Sequence, residues 1–162
     1  MPESTPMEAL LATLPQAGRV EWLGLRVARG EPMEAVARAH ASPGNGFAGD
    51  RYRGRPGGRR QVTLIQAEHL PAIAACLHRS TIDPALVRRN VVVAGLNLLA
   101  LKGRAFRIGA ALLEYTGLCH PCSKMETVLG PGGYNAMRGH GGITARVLEP
   151  GDVALGDGVR AE

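Results

Sequence analysis

Two thiols three residues apart, Cys119 and Cys122, sit at the end of an apolar run and are the most reactive side chains this chain sets close together. A CxxC pair serves as a redox couple, as half of a zinc site, or as a frame around one reactive thiolate, and each use asks for different surroundings. A zinc site would draw on Cys119, Cys122, His120 and His140. Adjacent Cys119 and His120 seldom reach one metal together, however, and the chain holds no second CxxC. As a redox couple the pair would close a disulfide under oxidation. As a lone thiolate, Cys122 gains from its place: residues 123–129 read as a helix whose dipole favours an anion at its start, with Lys124, His120 and Arg138 as candidate cationic neighbours. Cys76 lies in an Ala-rich segment and is expected to be a buried, inert packing residue.

The elements that must position these thiols are legible from periodicity and turn chemistry. Thr5, Pro6 and Glu8 form a capping box, predicting a helix over residues 6–14 with Met7, Leu10, Leu11 and Leu14 on its apolar side. Residues 20–27, around the only tryptophan, Trp22, read as a strand. Residues 41–58 are rich in glycine and interleaved with Asp50, Arg51, Arg53 and Arg55, which predicts a long loop of functional character. A buried strand at 61–65 and a helix at 66–78 follow, the helix carrying Leu70, Ile73, Ala74 and Leu77 as an apolar stripe and Pro71 near its first turn. Short strand candidates at 90–93, 98–101, 104–108, 111–115, 144–148 and 159–161 are separated by Gly, Pro or Asp, with turns at 149–152 and 155–158. Their spacing is that of a barrel. The fold class is therefore mainly β with peripheral helices, arranged as one domain: a helical extension over residues 1–17 and a closed β-barrel over 18–162.

Composition narrows the partners. With aromatics at 4%, the core must be aliphatic. A formal charge of +5 favours an anionic partner, and with no recognisable nucleic-acid motif that points to phosphate rather than nucleic acid. No apolar run approaches the roughly 18 residues that span a bilayer, and no leader-like start is seen, so a cytoplasmic protein without a membrane partner is expected. Residues 139–142 are glycine-rich but lack the Lys-Ser/Thr ending of a P-loop.

An ordered series of short motifs adds a family. Gly49-Asp50-Arg51, Arg60-Gln61-Val62-Thr63-Leu64 and Arg88-Arg89-Asn90 with Gly95 come first; Leu101-Lys102-Gly103, Ile108-Gly109, Pro121-Cys122, Arg138-Gly139 with Gly142, and Gly156-Asp157 follow. Over residues 18–159 this series resembles the MOSC domain, named for the C-terminal domain of molybdenum-cofactor sulfurases. The resemblance implies a β-barrel with peripheral helices and a cleft bearing one characteristic cysteine, by position Cys122. It also implies one of two activities. Some members bind molybdenum cofactor and reduce N-hydroxylated compounds with the cysteine as metal ligand, working with an electron-transfer partner. Others accept persulfide sulfur on that cysteine from a pyridoxal-phosphate-dependent cysteine desulfurase.

Under the first activity, Cys122 ligates the metal of a molybdopterin, while Arg51, Arg60, Arg88 and Asn90 fall on motif positions suited to its phosphate. Asp50 orients an arginine or accepts from the pterin ring, Arg138 lines the cleft, and His140 donates a proton during reduction. Arg53, Arg55, Arg59 and Arg89 are expected to be solvated surface charges. Arg89 precedes Asn90 where some members carry an acid, a change that would tighten a phosphate or mark a different ligand. A third reading is non-catalytic: an anionic-ligand-binding module working through its Arg-rich loop.

Overall fold

The structure, a computed structural model, describes every residue except 1, 2, 4, 53 and 56, so the expectation for Arg53 lies outside the described residues. Helix α1 (Pro6–Ala12) starts as its sequence predicts: the Thr5 hydroxyl accepts from the Glu8 N–H at 3.1 Å, and the Glu8 carboxylate accepts from the Thr5 N–H at 2.6 Å. It ends two residues early and buries nothing; Met7, Leu10 and Leu11 face solvent, and only Leu14 beyond it reaches the core.

Seven strands close the barrel: β1 (Gly18–Leu25), β5 (Val62–Gln66), β6 (Val91–Ala94), β7 (Ala105–Ile108), β8 (Ala111–Leu118), β9 (Ile143–Glu149) and β11 (Gly158–Ala161). Their order is β11-β7-β8-β9-β5-β6-β1, and β1 pairs back onto β11 through Gly18 and Arg19 to complete the cylinder. Only β5 and β6 run parallel, and the helical crossover between them is what that pairing requires. Val20, Val62, Leu64, Ile108, Leu113 and Val147 fill the interior with Phe106 among them, a mainly aliphatic core as composition requires. Each such side chain stabilises the fold by roughly 1.5–3 kcal/mol on leaving water.

The stretch 41–58 is not one loop: it opens with the end of β3 (Arg38–Ser42) and contains β4 (Gly46–Phe47), which pair with each other, and β3 pairs with β10 (Gly151–Ala154) in a second, three-stranded sheet. Residues 98–101 form a turn of 3₁₀ helix rather than a strand, because the Asn97 side chain accepts from the Leu99 N–H at 3.1 Å and winds the segment at its start. A further short strand, β2 (Glu34–Ala35), extends β1 at the sheet margin.

Helices α2 (His69–Cys76), α3 (Ser123–Leu129) and α4 (Gly133–Met137) pad the outer face of β5 and β6. Ile73 and Ala74 of α2, Met125 and Leu129 of α3, and Ala136 and Met137 of α4 pack there against Ile65 and Val92. Cys76 lies past that stripe and is exposed, not buried as its Ala-rich setting predicts. Among the described residues no helix is long and apolar enough to cross a membrane.

Candidate functional site

Burial of Met125 and Leu129 fixes α3 against the barrel and thereby places Cys122, the residue that caps its N-terminus in extended conformation. Cys122 is exposed, and its carbonyl accepts from the Met125 N–H at 2.9 Å. It opens into a cavity of ≈ 210 Å³ walled by Arg26, Arg51, Arg60, Arg88, Arg89, Lys124 and Met125. Six cations thus surround one thiol. A larger, more open groove of ≈ 850 Å³ shares Arg26, Arg51 and Arg60 with it; the sulfur lies on the smaller space.

Only one of those cations meets a carboxylate among the described residues. Asp50, its side chain fully buried, accepts from Arg26 through the backbone N–H at 2.8 Å and from Nη2 at 2.9 Å. The same carboxylate accepts from Asn90 Nδ2 at 3.0 Å. Asn90 is saturated: Nδ2 also donates to Gly24 O, and Oδ1 accepts from the backbone N–H and the hydroxyl of Thr63. Asp50 orients an arginine, one of the two roles expected of it, whereas Asn90, expected at a cofactor phosphate, is spent inside the fold. Asn90 is wholly buried with every amide position used, so it and Asp50 shape the cavity from behind and leave contact to the guanidiniums.

Arg88 takes a left-handed backbone conformation (φ 59°), and its Nη1 donates to Glu31 O at 3.0 Å. Its pKa is lowered first by burial and then by the like charges of Arg26 and Arg51. Arg89, expected on the surface, is 6% exposed and donates to three carbonyls: Gly141 (2.7 Å), Val87 (3.0 Å) and Cys119 (3.1 Å). Burial also lowers its pKa, opposed chiefly by Cys119. Among the described residues this guanidinium bonds only to neutral carbonyls, which leaves its charge uncompensated and the cavity suited to an anion. Arg60 is set at the end of its loop by Thr116: the Thr116 hydroxyl donates to Arg59 O, and Arg59 Nη2 donates back to Thr116 O at 2.8 Å.

Arg138 and His140 are not brought to this cavity. Arg138 is exposed and donates to Asn135 Oδ1 at 3.3 Å. The chain leaves α4 and turns back through Gly139–Gly142, which carries the His140 ring to His69, edge-on with centroids 5.1 Å apart. That contact and burial lower the His69 pKa, burial being the larger cause. The zinc set is not assembled either, since the described residues contain no group of three or more His, Cys, Asp or Glu able to hold a metal. Arg26, which no motif marks, is the residue Asp50 pairs with; the one signal in the sequence is that a buried Asp in a basic loop needs a partner.

Comparison with known proteins agrees with the barrel and its motifs. The MOSC domain family matches residues 29–160. YuaD from Bacillus subtilis superposes with a TM-score of 0.77 at 22% identity, covering 91% of this chain and 97% of that one. YiiM from Geobacillus stearothermophilus gives 0.68 at 18% identity (90% and 75% covered), and YiiM from Escherichia coli 0.68 at 21% (89% and 69%). At these identities the likenesses speak for the fold. No curated protein matches the chain.

Proposed function

Because this chain belongs to the MOSC domain family, which is linked to molybdenum cofactor, we propose that the Cys122 cavity binds that cofactor and serves to reduce N-hydroxylated or N-oxide compounds. The observation that carries the reading is the donor set: one exposed thiol among six cations, five of which meet no carboxylate among the described residues. That set fits an anionic, metal-bearing pterin, since a thiolate is a soft ligand and guanidiniums grip phosphate. When bound, the cofactor would supply two-electron redox chemistry at its metal.

The chain's own residues divide the remaining work. Cys122 holds the metal through Sγ. Arg51, Arg60 and Arg88 pair with the phosphate, and Arg26 is aimed by Asp50. Asn90 keeps Asp50 in place from behind. With His140 against His69, the proton donor among the lining groups is Lys124 at Nζ, since a guanidinium does not give up its proton. Electrons would come from a redox partner protein.

A second reading rests on the exposure of Cys122: a thiol that accessible suits acceptance of persulfide sulfur from a cysteine desulfurase. Purification from a host that makes molybdenum cofactor separates the two. Molybdenum and pterin bound to wild-type protein and missing from Cys122→Ser support the first reading. Their absence from both, with sulfur added to Cys122 after incubation with a desulfurase and cysteine, supports the second.

A further inference from the structure

The proposed function uses Cys122 and leaves Cys119 idle, yet Cys119 is not an ordinary packing thiol. It is 1% exposed, and its Sγ lies 3.7 Å from Nη2 of Arg60, one of the guanidiniums that wall the Cys122 cavity. A cysteine buried for packing sits among apolar groups; this one lies against a cation. Its backbone is held from both sides: the N–H donates to Gly142 O at 2.8 Å, and the carbonyl accepts from Arg89 Nη2 at 3.1 Å. One thiol is thus fixed and sheltered, the other is open to solvent, and only His120 and Pro121 separate them. Arg60 lines the Cys122 cavity and bonds to the Cys119 sulfur, so one guanidinium is shared by the two thiol environments.

We infer that Cys119 is the resolving partner of Cys122, and that the two close a reversible intrachain disulfide when a hydroperoxide enters the cavity. The Cys122 thiolate attacks the peroxide oxygen: an S–O bond forms, the O–O bond breaks, and the departing alkoxide takes a proton to become an alcohol. The Cys119 thiolate then attacks the Cys122 sulfur: the S–S bond forms, the S–O bond breaks, and hydroxide leaves to be protonated to water. The two thiols lose two electrons and the peroxide gains them. A dithiol reductant restores both thiols by exchange. Closure withdraws Cys122 from ligand duty and spares it irreversible oxidation. That consequence rests on the proposed function; the disulfide itself needs no cofactor.

The test uses the full chain carrying Cys76→Ser, which removes the third thiol from an exposed position. The protein is treated with tert-butyl hydroperoxide, alkylated, and mapped by peptide mass. The expected result is a linked Cys119–Cys122 peptide that dithiothreitol reopens. Cys119→Ser is expected to accumulate sulfinic acid on Cys122 roughly tenfold more than its parent. Sulfinic acid on Cys122 in the parent, with Cys119 still open to alkylation after unfolding, overturns the inference, and so does an unchanged oxidation course in Cys119→Ser. Should that variant not fold, the parent's peptide map decides alone. Protein lacking molybdenum gives the same readout, so failure of the disulfide and failure of cofactor binding are seen separately.

Discussion

Asn90 and Arg88 stand two residues apart in one motif, yet they belong to regions built on opposite principles. Around Asn90, the side-chain amide is fully used: Thr63, Gly24 and Asp50 bond to it at the seam of β1, β5 and β6, and Asp50 carries the network on to Arg26. Around Arg88, like charges gather, and among the described residues no carboxylate meets them beyond the one Asp50 gives to Arg26. Saturation marks residues that hold the fold; unspent charge marks residues still able to pair with an anion. A motif spanning both kinds of site says little about which residue touches a ligand until the bonds are counted.

The largest effect is expected from Asn90→Ala. It strands the Thr63 N–H and the Gly24 carbonyl in the interior and takes a donor from Asp50, so a loss of about 3 kcal/mol is expected in chemical denaturation. A loss below about 1 kcal/mol would show that the bond network is not structural. Within the loop behind Arg89, Gly142→Ala should cost nearly as much, about 3 kcal/mol, because its φ is +90° and a Cβ there would lie 1.9 Å from Leu64 O. Gly139→Ala, at φ +80° with nothing within 4 Å, should lose only about 1 kcal/mol of backbone strain.

Arg88→Ala should behave in the opposite sense. Removing a charge that Arg26 and Arg51 repel leaves the melting temperature unchanged or slightly raised. Affinity for inorganic diphosphate, followed by thermal shift, should meanwhile fall roughly tenfold, with a shallower salt dependence. A destabilised Arg88→Ala would place that residue with Asn90.

The smallest effect lies at the histidine pair. Burial and His140 favour the neutral His69 ring in the fold, so as pH falls below the ordinary value of 6.5 the unfolded chain takes the proton first. Stability is therefore intact above that value and declines as pH drops through the lower folded pKa. Melting curves between pH 7 and pH 5, on the roughly physiological scale where imidazole titrates, should show the decline in wild type and a flatter profile in His69→Gln.

Much of the barrel was legible because strand periodicity and glycine-led turns are local signals; β5, β6, β7 and β9 lie within two residues of their predicted spans. Cys122 at the head of α3 was legible for the same reason. The roles of Asn90 and Arg89 were not. Asn90 bonds to Gly24, Asp50 and Thr63 from three separate segments, and Arg89 is buried by carbonyls, which every residue carries and no sequence displays. His140 and Arg138 were assigned to the cavity by motif order, but the path of the chain after α4 sends them elsewhere.

If Cys122 and the cations around it bind a molybdenum cofactor, protein freshly purified from a cofactor-producing host will carry both molybdenum and pterin. Near-stoichiometric content in wild type is predicted, with loss in Cys122→Ser at a stability change within about 0.5 kcal/mol for an exposed side chain. Wild-type protein that carries neither metal nor pterin would contradict it.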